Sequence, residues 1–546
     1  MKLLIVLAAI CAYSLPHQTR AADVTVHLKL VSLQELEVIY SLPEKCDAVP
    51  FLNQETLPTF GTEIRSAWQP LDDCGTANGT TLIKKNKTCS AVRFRVPASI
   101  KVFDRVSPGS FPIGDGLYVH TTSYAISDSC GSVGYKFSAS GDIAFKGKVY
   151  RNSASYDEFD GQYLAAILLQ KKILSNDGAI SYFDPALGIE NIQLLQDIID
   201  QSMAFYRLAL PDLHFRKPIL VATGPKDGGD PYYWGDAGDV LRLALYNWPQ
   251  HPTGDVNQHL KRFVWHELAH RFQPHSADSN MQTEPFISEG GADYLRWIAS
   301  IKTKWVTPED AAKEINSAIS NCVFKAENFS WKTLPEKLTR SGSIPYECGL
   351  ALHVMGLAIR QNNVSPLQQI NDYYSALETG TPISFEQAIE CGKEKNCTPK
   401  WLPKLLGNQT ISEAWSDFFA NTQLAKVTPP APEQFANIRR MAFANLMQED
   451  CHGNISFYQD PDMFRVGAIQ DCSVLREGMQ IKQIEGKDFF GTSLHVEEMN
   501  LACQSRGNIS LGMQNGETII VPCKSIYKIP TFYSVDMKRL MQKLEL

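Results

Sequence analysis

Trp265-His266-Glu267-Leu268-Ala269-His270 is followed, nineteen residues after its last histidine, by Glu289 within Ile287-Ser288-Glu289-Gly290-Gly291-Ala292-Asp293. His266 and His270 are four apart, so on a helix they project from one face and can share one metal ion. Glu267 lies between them and points to the side of that ion, where a base for an attacking water is needed. Leu260, Phe263, Val264, Leu268 and Phe272 supply the apolar face of a buried helix, and no proline intervenes before Pro274.

A catalytic zinc takes three protein ligands and keeps a fourth position open. Glu289 is the candidate third ligand, which gives one Zn2+ per chain. It starts a second helical run. Asp293, one turn on, can accept the N–H that a ligating histidine leaves free and so fix its tautomer. Gly290 and Gly291 each cost roughly 1 kcal/mol inside a helix, which suits the close approach of two helices. With 12 histidines in the chain, His-Glu-x-x-His arises by chance in only about one such sequence in a hundred. His275 suggests the longer metzincin pattern, but Gln273 replaces its glycine and the spacing falls one residue short. His275 therefore reads as a loop histidine.

These segments together resemble the gluzincin metallopeptidases, in which eighteen residues separate the second histidine from the third ligand. The resemblance extends to Ile344-Pro345-Tyr346-Glu347-Cys348-Gly349. That run is similar to the Pro-Tyr-Glu-Lys-Gly segment whose tyrosine supports the tetrahedral intermediate in one-zinc aminopeptidases, with Cys348 in place of lysine. It implies a catalytic role for Tyr346, which would otherwise be one of 20 tyrosines.

A chain of 546 residues is too long for one core and should divide into three or four domains. Charged residues make up 20% and the net charge is −7, without a block of like charge, which argues against a nucleic-acid partner. Mean hydropathy is −0.20, and no internal apolar run reaches the length of a membrane span. Lys2 followed by Leu3 to Ile10 reads as a signal peptide, with small residues near Ser14 and at Ala21-Ala22 as cleavage points. The mature protein is thus expected outside the cytoplasm, secreted or periplasmic.

Without Cys11 the cysteines fall into three groups of four. These are Cys46, Cys74, Cys89, Cys130; Cys322, Cys348, Cys391, Cys397; and Cys451, Cys472, Cys503, Cys523. In an exported chain such grouping favours disulfides within each group, each allowing three pairings, and no Cys-x-x-Cys points to zinc. Eight Asn-x-Ser/Thr sequons, at Asn78, Asn86, Asn328, Asn363, Asn396, Asn408, Asn454 and Asn508, mark surface loops in a host that glycosylates asparagine.

Residues 23–151 alternate like strands, as in Val24 to Leu30 and Val92 to Val96, and predict a β-sandwich-like domain. Helical periodicity then begins. Ile192, Leu195, Ile199 and Met203 form one stripe that ends before Pro211. Lys217 to Thr223 reads as a buried strand, Gly224 to Asp239 as a Gly/Asp-rich loop, and Val240 to Tyr246 as a further strand. In gluzincins the strand at that place lies at the sheet edge and pairs with the substrate backbone. That makes Ala244 a candidate substrate contact. Thr307-Pro308, Ser365-Pro366 and Thr410-Ile411-Ser412-Glu413 announce a helical bundle through their caps.

Thr428-Pro429-Pro430-Ala431-Pro432 reads as a linker. Beyond it, Leu475 to Gly486 resembles the Leu-x-x-Gly-Asp-x-Ile-x-x-Ile-x-Gly core of PDZ domains, with Met479 in place of Asp. Strands are expected at Gly507 to Leu511 and Thr518 to Val521. The fold class is α+β and multidomain. It comprises a signal peptide (1–22), a β-rich domain (23–151), a thermolysin-like α/β and helical catalytic domain (152–427), a linker and helix (428–450), a PDZ-like domain (451–530) and a tail (531–546).

That order resembles the glycyl aminopeptidase family of gluzincins. The family has an upstream Gly-rich segment ending in Glu that holds the substrate amine. Trp234-Gly235-Asp236-Ala237-Gly238-Asp239 occupies its place without a Glu, so Asp239 and Asp236 become the candidate amine anchors. The expected activity is zinc-dependent hydrolysis of a peptide or protein substrate with Glu267 as base, as an aminopeptidase. The alternatives are an endopeptidase with the same site, or a non-catalytic relative that binds a peptide through the PDZ-like region.

Overall fold

The computed structural model describes residues 22–546 apart from 53–56, 100–108, 158–163, 175–180, 216–218, 224–230, 238–239, 252–253, 275–283, 327–328, 336–342, 395 and 454. The signal peptide (but for Ala22), Asp239, His275 and the sequons at Asn328 and Asn454 lie outside the described residues. The chain divides into two units, Met1–Ser276 with Ile370–Pro382, and Ala277–Gln369 with Ile383–Leu546.

In the first unit, strand alternation builds a nine-stranded sheet. Val24–Ser32 sits near its middle, antiparallel to Glu35–Ser41 and parallel to Val133–Phe145. A three-stranded sheet of Ala48–Pro50, Thr81–Lys84 and Gly75–Ala77 lays Val49 and Leu82 into the same core as Val24, Val26 and Leu28. Trp68 fills this core, its ring 5.8 Å from Phe51 and 5.5 Å from Phe94. The result is the sandwich-like β region expected from the sequence.

A second sheet carries the chemistry. Its order is β1 (Ser181–Phe183), β2 (Ile219–Thr223), β4 (Leu241–Tyr246) and β3 (Tyr232–Ala237). β1, β2 and β4 are parallel, and β3 runs antiparallel to β4. Helix α1 (Ile189–Ala209) buries Leu195, Ile199 and Met203 as its stripe predicts. Tyr206 on α1 donates its hydroxyl to the Trp265 carbonyl at 2.8 Å and thereby ties α1 to α2 (Gly254–Ala269).

This topology corrects two expectations. Ala244 is no edge residue, because β4 lies inside the sheet with Ala222 on one side of Ala244 and Trp234 on the other. Both of its backbone edges are taken by the ladder, which leaves none for a substrate. Part of the stretch expected as a loop, Gly224 to Asp239, is in fact β3, the edge strand among the described residues. Tyr232 stacks on Tyr246 at 4.5 Å and Tyr233 on Phe263 at 4.2 Å. Such aromatic pairs stabilise a strand that Gly235 and Asp236 alone would disfavour.

In the second unit, α3 (Glu284–Lys302), α4 (Pro308–Ala326) and α5 (Ile344–Ala358) pack as a helical layer. A Cβ on Gly290 would lie 2.2 Å from the Gly349 Cα, so α3 and α5 cross backbone to backbone and Gly290 is required there. Thr307 caps α4 by accepting from Asp310 N at 3.1 Å. Thr410 and Glu413 form the expected capping box. Helix Phe435–Asp450 lies against a C-terminal sheet, where Phe443 stacks on Phe464 at 4.5 Å. In that sheet Gln480–Ile484 turns at Glu485 and Gly486, both with positive φ, and pairs with Asn508–Met513.

The six disulfides stay within the three cysteine groups. They join Cys46–Cys130, Cys74–Cys89, Cys322–Cys348, Cys391–Cys397, Cys451–Cys472 and Cys503–Cys523. Such usage fits an oxidising, extracytoplasmic location. No described helix is long and apolar enough to cross a membrane.

Candidate functional site

α2 is held by a full apolar face. Leu260, Val264, Trp265 and Leu268 are completely buried, and Phe263 and Phe272 nearly so. With that face fixed, the four-residue spacing brings the Nε2 atoms of His266 and His270 to 3.1 Å, their rings edge to face. His266 is buried and His270 half-buried.

The outer nitrogen of His270 has a partner that the sequence reading passed over. Its Nδ1 lies 2.6 Å from the Gln273 Oε1, and the Gln273 Nε2 donates to the Tyr374 hydroxyl at 2.9 Å. An amide oxygen only accepts, so Nδ1 carries a proton and Nε2, beside His266, is the nitrogen left to face a metal. The donor set suits zinc. It offers two imidazole nitrogens at one point, with one tautomer fixed from behind. The available signal was Gln273's position, three residues past His270 at a helix end.

Glu267 lies between the histidines and its carboxylate meets β3. A Cβ on Gly235 would come within 2.2 Å of the Glu267 Oε1 and 2.7 Å of Oε2. Only a residue without a side chain leaves the carboxylate that place. Tyr233, two residues earlier, stacks on Phe263 of α2 and fixes strand against helix. Asp236 lies on β3 opposite Arg242 in register.

In the second unit Glu289 stands half-buried on α3, and Asp293 follows one turn later. The Asp293 Oδ1 accepts from Arg296 Nε at 3.0 Å, and Arg296 also pairs with Glu314. Burial works against the Arg296 charge, yet Glu314 and Asp293 hold its pKa above the ordinary value. Asp293 is thus in a carboxylate–guanidinium network. The role expected of it toward a ligating histidine falls, for His270, to Gln273.

Tyr346 occupies the first turn of α5 and is 38% exposed, unlike the surrounding Ile344, Pro345 and Cys348, which are buried. Its neighbours are fixed on both sides. Glu347 pairs with Lys325 at 2.6 Å and accepts from Asn321 at 2.9 Å, and Cys348 is bonded to Cys322 of α4. Cys348 therefore anchors the turn covalently. His353, which sequence reasoning did not single out, is wholly buried and donates Nδ1–H to the Gly349 carbonyl at 2.8 Å. Burial lowers its pKa to about 4, so it is a neutral core residue at pH 7.

No protein-family model matches the chain, and no curated protein matches it. Among solved structures it is similar to an M1 zinc metallopeptidase from Deinococcus radiodurans, a mutant bound to a Tyr-Ser-Ala substrate. The identity is 12% and the TM-score 0.30, over 70% of this chain and 96% of that one.

Proposed function

We propose that the protein is a zinc metallopeptidase, exported from the cytoplasm, in which His266, His270 and Glu289 hold one zinc ion with one ligand atom each. The observation that carries this is the 3.1 Å approach of the two Nε2 atoms beside the Glu267 carboxylate. A zinc ion bound there supplies a Lewis acid that acidifies water and polarises a scissile carbonyl. Glu267 takes the proton of the attacking water and delivers it to the leaving amine. Tyr346 donates its hydroxyl hydrogen to the oxyanion that develops. A structural zinc site has no use for such a base, which disfavours the non-catalytic reading.

Purified protein should hold one zinc per chain, and a chelator should abolish peptide hydrolysis reversibly. Glu289→Ala should lose the metal. Parental zinc affinity in that variant would strike Glu289 from the ligand set. Tyr346→Phe removes one hydroxyl and should lower kcat by roughly 10²-fold with little change in KM. An unchanged kcat in a folded, zinc-bound variant would rule out its oxyanion role.

The substrate backbone is read best by β3, the terminal strand of this sheet among the described residues. Asp236 and Asp239 are the proposed anchors of the substrate ammonium, and Asp239 is the favoured one because it borders β4 in sequence. They make the enzyme an aminopeptidase. Acetylating the substrate N-terminus should then lower kcat/KM by at least about 10²-fold, since the anchoring carboxylate loses its partner. Equal cleavage of free and acetylated peptides would make the enzyme an endopeptidase.

A second reading concerns residues 451–530. The hairpin at Gln480–Ile484 is followed by helix Val496–Arg506 and then by strand Asn508–Met513, near the Gly507 to Leu511 strand expected there, which supports the PDZ-like reading. Peptide ligands should bind there in the full chain carrying Glu267→Gln. If deleting 451–530 left peptide affinity unchanged, this reading would be lost.

A further inference from the structure

Resting on the zinc reading, we propose that Gln273 is the positioning residue of the metal site and that Tyr374 holds it in place. An imidazole can offer either nitrogen, and an ion needs the same one every time. At His270 the choice is made by the amide oxygen of Gln273, 2.6 Å from Nδ1. The amide is aimed in turn, because its nitrogen is engaged by the Tyr374 hydroxyl at 2.9 Å.

The local fold explains why residue 273 can reach back. After α2 ends at Ala269, Arg271 N bonds to the Leu268 carbonyl at 3.1 Å and Phe272 N to the Ala269 carbonyl at 3.0 Å. These three-residue bonds tighten the last turn and keep Gln273 on the face of His270. Pro274 then cannot continue the helix. Gln273 is 6% exposed and Tyr374 2%. Tyr374 comes from α6 (Pro366–Glu378), from a part of the chain far away in sequence. Its segment, Ile370–Pro382 of the first unit, is tied to the rest of that unit a second time where Asn371 accepts from Asp212 N at 3.2 Å and donates to the Asp212 carboxylate at 2.7 Å. Burial raises the Tyr374 pKa well above its usual value, so the hydroxyl stays neutral. This amide–hydroxyl pair is uncharged. It orients His270 without giving the imidazole the anionic character that a carboxylate partner would lend it.

The test is zinc affinity, measured by competition with a chelator of known strength, with apoprotein melting as the folding control. Gln273→Leu keeps the volume and removes the acceptor, and should weaken zinc binding about 10–100-fold while the apoprotein melts as the parent does. Gln273→Glu restores an acceptor of the same reach and should return affinity to within about threefold of the parent. Tyr374→Phe should weaken binding by a smaller factor, about threefold to tenfold. With cobalt in place of zinc, the visible spectrum should change in Gln273→Leu and recover in Gln273→Glu. Should the leucine variant not fold, Gln273→Asn, one methylene too short to reach, takes its place. Parental affinity in the folded leucine or asparagine variant overturns the proposal, as does failure of Gln273→Glu to rescue it. A parental protein that takes up no zinc overturns the zinc reading as well, which separates the two failures.

Discussion

Glu267→Gln should leave one zinc ion bound per chain and lower kcat by about 10⁴-fold, the upper range for loss of a general base. The replacement has the same length and shape, so it should fit against Gly235 as the carboxylate does. It removes no ligand, since His266 and His270 present their own nitrogens. What it removes is the only function an amide cannot supply, acceptance of a proton from water and its return to the leaving amine. Metal analysis and kcat on an unblocked peptide are the measurements. Retained zinc with lost turnover is the signature of the base. Parental turnover would transfer the proton chemistry to another group, and loss of zinc would make Glu267 a ligand.

The parts of this site that were legible in the sequence are those in which spacing alone fixes geometry. Four residues on a helix bring His266 and His270 together whatever surrounds them. Gly290 announced a close helix crossing because a glycine is otherwise costly there, and Gly349 is what it meets. The cysteine groups likewise foretold which regions are cross-linked, though not which partners pair.

Sheet position was not legible in the same way. Leu241-Arg242-Leu243-Ala244 alternates as a half-exposed strand would, yet every residue of β4 is buried. Arg242 breaks the apolar run without facing water, because its guanidinium lies over the Phe111 ring at 3.9 Å. A buried cation thus imitated an exposed face, while the edge position came from the gluzincin resemblance and not from the residues of β4. β3 was hidden for the opposite reason. Gly235 and Asp236 are turn formers, and the strand signal was confined to Tyr232, Tyr233 and Trp234. Gln273 and Tyr374 lie 101 residues apart, a pairing that no local pattern contains.

Gly235→Ala should lower kcat by about 10³-fold without unfolding the protein or releasing zinc, more than the roughly 10²-fold that a 1 Å misplacement costs. The φ of Gly235 is not in the left-handed region, so the backbone itself tolerates alanine. Space does not. The new methyl would stand 2.2 Å from the Glu267 Oε1 and 2.3 Å from its Cδ. β3 is tied to β4 through the Gly235–Leu243 register and to α2 through Tyr233 on Phe263, so the strand resists moving. The far end of Glu267 is the soft partner. It should swing away, and the base leaves its place while the core stays intact. The prediction is therefore a catalytic loss without a matching stability loss, with Tm shifted by only a few degrees. A double-mutant cycle isolates the cause. In the Glu267→Gln background, where no base remains to displace, Gly235→Ala should cost less than about threefold more. Full additivity of the two losses would show that Gly235 acts on something other than Glu267, such as the path of the substrate along β3.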